Sequence, residues 1–194
     1  MLSCNVMAES ELTKRIKISL FFHTQAHKLG VYGVFEVACG GTLGYGKEFV
    51  DYMTMDSENV FRCYEIKVSK SDLHSPAAWS FYGDYNYFVV PEALSDDVTA
   101  FLKSMGEQRI GVIVVREVFG RLIFSVMRKP RKVRLGIEQR IANMHNMVRS
   151  GSRYTTKWVK QHTPVVVKDD FLDPDYPVSD EEFVAMFGHH KDFA

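Results

Sequence analysis

The sequence predicts an α/β domain in which a mixed central sheet is flanked by helices, and three observations carry that prediction. A helical period opens the chain, with Leu12, Ile16, Leu20, His23 and His27 recurring at three- and four-residue steps between Glu9 and Leu29. Three runs rich in β-branched and aromatic residues follow, "VYGVFEVA" (31–38), "FVDYMTM" (49–55) and "VFRCYEIKV" (60–68), each closed by turn residues. A loop leading into a short helix (69–83) then connects to another strand, "YNYFVV" (85–90). A meander followed by a helical crossover makes a sheet of mixed direction.

Each element has a local reason. Gly30 stops the first helix. "CGGTLGYGKE" (39–48) is a hairpin turn and not a phosphate loop, because it lies between two strands and lacks the Walker spacing. "DSEN" (56–59) makes the second turn, and Pro76 is tolerated in the first turn of the short helix. Further on, "EALSDDVTAFLKSM" (92–105) reads as a helix, and "IGVIVV" (110–115) and "RLIFSVM" (121–127) as strands around Phe119-Gly120. "RLGIEQRIANMHNMV" (134–148) is a helix, beyond which the pattern weakens past Arg149. "SDEEFVAMF" (179–187) reads as a short terminal helix, with Ser179 as N-cap and Glu182 completing the box. The division expected is a core over 1–130, then a basic helix and an acidic extension over 131–194.

Composition limits the function. With 194 residues, 46% of them hydrophobic, the chain suits one globular core with an appended tail. No apolar run approaches the roughly 18 residues a membrane span requires. The N-terminus lacks the basic-then-apolar order of a secretory signal, so a cytoplasmic location is expected. Cys4, Cys39 and Cys63 match no metal spacing and read as reduced thiols. The net charge of zero hides an asymmetry: ten Lys/Arg and one acid between Arg128 and Lys160, then eight Asp/Glu and two Lys between Lys168 and Ala194. A basic stretch of this kind suits a polyanion, unless the two stretches simply pair with each other.

The chemistry concentrates on "FVDYM" and "CYEIKV". Side chains two apart on a strand share a face, so Glu65 and Lys67 point the same way. Asp51 on the preceding strand can lie directly opposite Glu65, about 5 Å away across the hairpin. Two carboxylates so close repel unless a proton or cation separates them. A hard divalent ion, Mg²⁺ or Mn²⁺, suits them, with the Ile66 carbonyl as a further oxygen ligand. Lys67 could then steady a hydroxide and offset charge building on phosphorus. The plain alternative is a cross-strand ion pair between Asp51 and Lys67 on a wet sheet face.

"VD" on one strand and "EIK" on the next resemble the core of the PD-(D/E)XK nuclease superfamily. The longer run "EVACGG…GKEFVDYMT…FRCYEIKVSKSDLHS…YNYFVVP" is similar to its MmcB-like DNA repair branch, which includes phage-borne relatives. The resemblance covers residues 9 to 130 and is strongest from 36 to 91. It implies a restriction-endonuclease-like αβββαβ core, Asp51 and Glu65 as metal ligands, and Lys67 as the catalytic lysine. Val50 stands where the superfamily's name places proline. A Glu from the first helix often joins such sites; Glu9 and Glu11 are the candidates, and Glu36, isolated in "VFEVA", is another. The expected activity is metal-dependent cleavage of DNA, structure-selective or nonspecific, in repair or phage–host conflict. A homodimer would suit a double-strand cut. The competing class is a non-catalytic nucleic-acid-binding or protein-interaction module on the same fold.

Outside this trio the signals are weaker. Lys70 and His74, at the start of the crossover, are candidate phosphate contacts, and Asp72 a candidate helix cap. The run "RKPRKVR" with Lys129, Arg131, Lys132 and Arg134, followed by Arg140, Arg149 and Arg153, is expected to track a nucleic-acid backbone. Trp79, Phe81, Tyr82, Tyr85 and Tyr87 read as core packing in preference to base stacking.

Overall fold

The computed structural model describes residues 10–26, 28–40, 48–75 and 80–162. Ser10 opens the first helix: its Oγ accepts the Thr13 N–H at 3.1 Å, and Glu11 in the first turn complements the dipole of α1 (Glu11–Phe21). The helix does not run on to Leu29. It widens into a π turn, Phe22–Ala26, in which the Thr24 hydroxyl donates to the Leu20 carbonyl at 2.8 Å and meets the Tyr52 hydroxyl at 3.0 Å. Back-bonding of this kind competes with the helical ladder.

β1 (Val31–Cys39), β2 (Glu48–Asp56) and β3 (Phe61–Ile66) form the antiparallel meander. The β2–β3 turn is an Asx turn. Asp56 Oδ1 accepts the N–H groups of Glu58 and Val60, both at 3.0 Å, and Asn59 takes the left-handed conformation at φ 58°. Among the described residues after β3 the helix is α2 (Lys70–Leu73), and Ser69, not Asp72, caps it. β4 (Tyr85–Pro91) lies parallel to β3. A 3₁₀ turn, Glu92–Leu94, leads to α3 (Ser95–Ser104). β5 (Ile110–Val118) is parallel to β4, β6 (Arg121–Arg128) returns antiparallel, and α4 (Ile137–His162) follows. The mixed sheet has six strands in the order β1-β2-β3-β4-β5-β6. The glycine-rich turn, Pro76 and Trp79, Glu9, the acidic stretch and the helix expected over 179–187 lie outside the described residues.

Helices cover both faces of the sheet. Ile16 and Leu20 of α1 pack on Tyr52, Tyr64, Ile66, Val89, Ile113 and Val115. On the other face Val98 and Leu102 of α3 pack on Phe88, Val90, Ile110, Val112 and Val114, and Met147 of α4 packs on Val37, Val50, Met53, Phe61 and Cys63. Phe81 bridges these last two clusters, Tyr82 donates to Glu48 Oε2 at 2.7 Å, and Tyr87 stacks on Tyr64, so these aromatics serve packing as expected.

The core boundary expected at residue 130 moves. The compact unit runs to Thr156, because Asn143, Met147 and Ser150 are buried. The helix is also longer than the pattern over 134–148 indicated, reaching His162. Of the second unit, the described residues Lys157–His162 are helical, with Trp158 stacked on His162.

One ion pair ties α4 to the sheet. Asp84 is fully buried; its Oδ2 accepts the Phe61 N–H at 2.9 Å, and Arg140 reaches both of its oxygens, at 2.6 and 3.1 Å. Arg140 is therefore a structural cation and not, as its place in the basic stretch suggested, one that tracks phosphate. Arg140→Ala would leave Asp84 buried without its partner. It is expected to lower stability by about 3–5 kcal/mol, read from urea unfolding.

Candidate active site

By strand register, β1, β2 and β3 bring three acidic residues to one level of the sheet, and of these Asp51 and Glu65 interact. The register that pairs Tyr52 with Tyr64, continued by one residue, sets Asp51 opposite Glu65. The register that pairs Phe35 with Tyr52 and Val37 with Val50 sets Glu36 opposite Asp51. The β2–β3 ladder ends at Tyr52, and beyond it Asp51 Oδ2 accepts the Ile66 N–H at 2.7 Å. Past this point Val50 belongs to the α4 side of the core and Ile66 to the α1 side, so the two strands diverge where Asp51 sits. Glu36 carries a positive φ of 48°, uncommon for a residue with a side chain, and interrupts the β1–β2 pairing.

The inner pair is electrostatically unsatisfied. Glu65 is 4% exposed, and its Oε1 has no hydrogen-bond partner. Burial and the neighbouring Asp51 charge push its carboxyl up to about 9, against the pull of Lys67 and of the Ser80 and Asp51 backbone N–H groups. Burial also raises Asp51, opposed by the Ile66 N–H and by the charges of Lys17 and Lys67. Neither carboxylate forms an ion pair among the described residues.

The nearby lysines are each tied to an outer carboxylate. Lys67, 9% exposed just past the end of β3, places its Nζ 3.3 Å from Asp72 Oδ1. Asp72 Oδ2 accepts the Val68 N–H at 3.3 Å, so α2 holds both the backbone and the ammonium of this segment. Lys17 of α1 lies 3.3 Å from Glu36 Oε1. Burial pushes Glu36 up, but hydrogen bonds from Tyr154 and Lys17 and the charges of Lys17 and Arg153 outweigh it and leave its carboxyl lowered. Glu36, expected as a metal ligand, therefore lies in the row with its carboxylate committed to Lys17 and Tyr154. On the metal-dependent nuclease reading proposed below, Asp72→Asn, which keeps the side chain's shape but loses the charge, is expected to free the Lys67 ammonium and lower turnover about tenfold with Mn²⁺ affinity unchanged. Parallel titrations and steady-state rates check it.

The other sequence candidates fall elsewhere. Glu11 is exposed at the start of α1, where its charge acts on Arg15 and not on the row. Lys70 pairs with Asp97 of α3 at 2.9 Å, and His74 packs edge-on against Phe101. Lys129, Arg131, Lys132 and Arg134 are exposed. Their segment runs beside the N-terminal ends of β4 and β5: Arg131 N–H donates to Gln108 O, Val133 N–H to Asp84 O, and Lys132 lies over the Tyr85 ring. Tyr85 pairs with Arg62, five residues before Lys67, which puts about 17 Å of strand between the basic run and Lys67. Closer to the row is Arg153, which donates to the Glu36 carbonyl at 3.2 Å. Lys17 and Asp72 were not recognised as members of the site from sequence: one lies on a helix, the other in a single helical turn, and neither position carries a strand signal.

The donor set fits a hard divalent ion. Among the described residues no three His, Cys, Asp or Glu side chains converge as a ligating group. Mg²⁺ typically takes only one or two carboxylates and keeps several waters. Two adjacent carboxyl groups, one with a buried unpartnered oxygen, are what such an ion would complete. No helix among the described residues is long and apolar enough to cross a membrane.

No protein-family model and no curated protein matches the chain. Among solved structures, the SPO1766 protein of unknown function from Silicibacter pomeroyi is similar in fold, with a TM-score of 0.60 at 14% identity, covering 82% of this chain and 99% of that one. At this identity the likeness speaks to fold alone.

Proposed function

We propose that this chain is a metal-dependent deoxyribonuclease of the PD-(D/E)XK kind, with a restriction-endonuclease-like core formed by α1, the β1–β3 meander and β4. The observation that carries the reading is the buried, mutually repelling Asp51–Glu65 pair with an unpartnered oxygen on Glu65 and an ammonium on the next same-face residue. Asp51, Glu65 and the Ile66 carbonyl would hold Mg²⁺ or Mn²⁺, which supplies Lewis-acid charge to a phosphate oxygen and a lower pKa to water. Lys67 orients the attacking water and balances negative charge building on the phosphate. Asp72 holds that ammonium in place. Lys17 and Arg153, beside Glu36, are cations at the edge of this site for flanking phosphates.

The test combines a metal titration with a cleavage panel. Mn²⁺ is expected to raise the melting temperature of the wild type, since a ligand at a hundred times its Kd adds about 2.7 kcal/mol, and to leave Asp51→Ala unmoved. Single-stranded, duplex, flapped and branched DNAs incubated with Mg²⁺ or Mn²⁺ should be cut by the wild type and not by Asp51→Ala. A protein indifferent to metal that cuts none of them would be the non-catalytic module.

A further inference from the structure

α1 has two working sides. Lys17 turns toward β1 and the carboxylate row, while Arg15, Ile18, Ser19 and Phe22 line a groove of about 530 Å³. The opposite wall is Gly120–Phe124 of the β5–β6 hairpin. The volume falls within the roughly 300–1,000 Å³ of small-molecule clefts.

The lining is mixed in chemistry. Phe22 is 53% exposed and belongs to the π turn, a rare element that recurs at functional sites. His23 beside it stacks on Phe124, with ring centroids 5.1 Å apart at 27°. Burial and the Lys28 charge lower the His23 pKa, so its ring offers a neutral π surface at pH 7. Arg15 is held at 3.0 Å by Glu117. Arg121 is exposed and has no ion-pair partner among the described residues.

We propose that this groove binds a planar aromatic ring carrying an anionic group, that is, a nucleotide, with Phe22 and the His23–Phe124 stack receiving the base and Arg121 the phosphate. Aromatic platforms beside cations hold single strands in this way, without reading sequence. Glu117 lies two residues past Val115, which pairs with Pro91 at the end of β4, so the groove opens at the C-terminal ends of the parallel strands. Glu65 and Lys67 lie at the same end of β3, three strand spacings or about 14 Å from β6 in the plane of the sheet. Glu65, like Cys63, is on the face away from α1, so a nucleic-acid strand joining the two sites would pass over the end of the sheet. The inference deepens the nuclease reading where the nucleotide belongs to a DNA strand. Where it is a free mononucleotide, the inference stands apart from that reading.

The test uses the full chain in metal-free buffer, so that no cleavage intervenes. Binding of fluorescein-labelled oligo(dA) is followed by anisotropy, and binding of dAMP by amide chemical-shift changes, in the wild type, Phe22→Ala and Arg121→Glu. Losing one stacked base should weaken oligo(dA) binding about fivefold or more in Phe22→Ala, and Arg121→Glu should weaken it similarly. Shifts around residues 19–23 and 120–124 with dAMP alone identify a free-nucleotide site; response to the oligomer only identifies a strand site. Equal oligo(dA) affinity in all three proteins, with no dAMP shifts in the groove, overturns the proposal. Cleavage by the wild type in Mg²⁺ with oligo(dA) binding insensitive to both substitutions would sink the groove and leave the nuclease reading. Variant-sensitive binding by a protein that cuts nothing would do the reverse.

Discussion

Replacing Glu65 with Gln is expected to abolish cleavage and, without metal, to make the protein more stable than the wild type at pH 8. Loss of one of the two carboxylates should reduce turnover by about 10²–10³-fold or more. The stability effect follows from the pKa. Burial and the Asp51 charge raise the Glu65 carboxyl from its ordinary 4.5 to about 9. In that window the folded chain keeps a proton that the unfolded chain has released. The contribution of this group is fully present below the unfolded value, and it is lost as pH rises through the folded one. Metal-free wild type should lose about 1.4 kcal/mol per pH unit from this group between about pH 4.5 and 9. The amide of the Glu65→Gln variant cannot ionise, so its curve should be flatter by that slope. Urea unfolding at pH 5, 7 and 8.5 in EDTA measures both. Parallel pH profiles for the two proteins would show that Glu65 is not the raised group. Saturating Mn²⁺ should reverse the order of stability at pH 8, because only the wild type has the ionised pair that holds it.

Lys67→Ala should lower turnover by about 10²–10³-fold while Mn²⁺ binding and DNA affinity stay within about twofold of the wild type. The lysine is 9% exposed, one position beyond β3, and its charge reaches both Asp51 and Glu65. Its direct partner is the Asp72 carboxylate, whose side chain is 38% exposed and can be solvated once the ammonium is gone. The fold should therefore survive the substitution. Lys67→Arg should not restore the rate, because a planar fork cannot take the place of a compact ammonium in a site this buried. Single-turnover rates with preloaded metal separate this outcome from weakened binding. Cleavage at the wild-type rate would remove the lysine from the mechanism.

Strand pattern and the spacing of two turns were sufficient to bring Asp51 and Glu65 to neighbouring positions on adjacent strands, where their charges meet, although the paired ladder stops one residue short of them. Glu36 was legible only as an isolated charge on the neighbouring strand; its left-handed backbone and the break it makes in the β1–β2 pairing were not. What the alternation could not convey is where charges from other elements end up. Lys17 and Asp72 reach the row through the packing of α1 and α2. The basic stretch reads as one surface in the chain, yet its members part company: Arg140 is spent on a buried aspartate, Arg153 lies beside Glu36, and Lys132 lies over Tyr85.

The sequence by itself determined the six strands, the mixed direction of their sheet and the choice of Asp51 and Glu65 as neighbours, since these depend on side-chain pattern and turn chemistry within short spans of chain. Only the tertiary structure decided which cations stand beside those carboxylates, that α4 belongs to the core, and that a π turn opens a groove against β6. These depend on helix docking, where residues far apart in the chain meet by shape and burial with no local pattern to announce it.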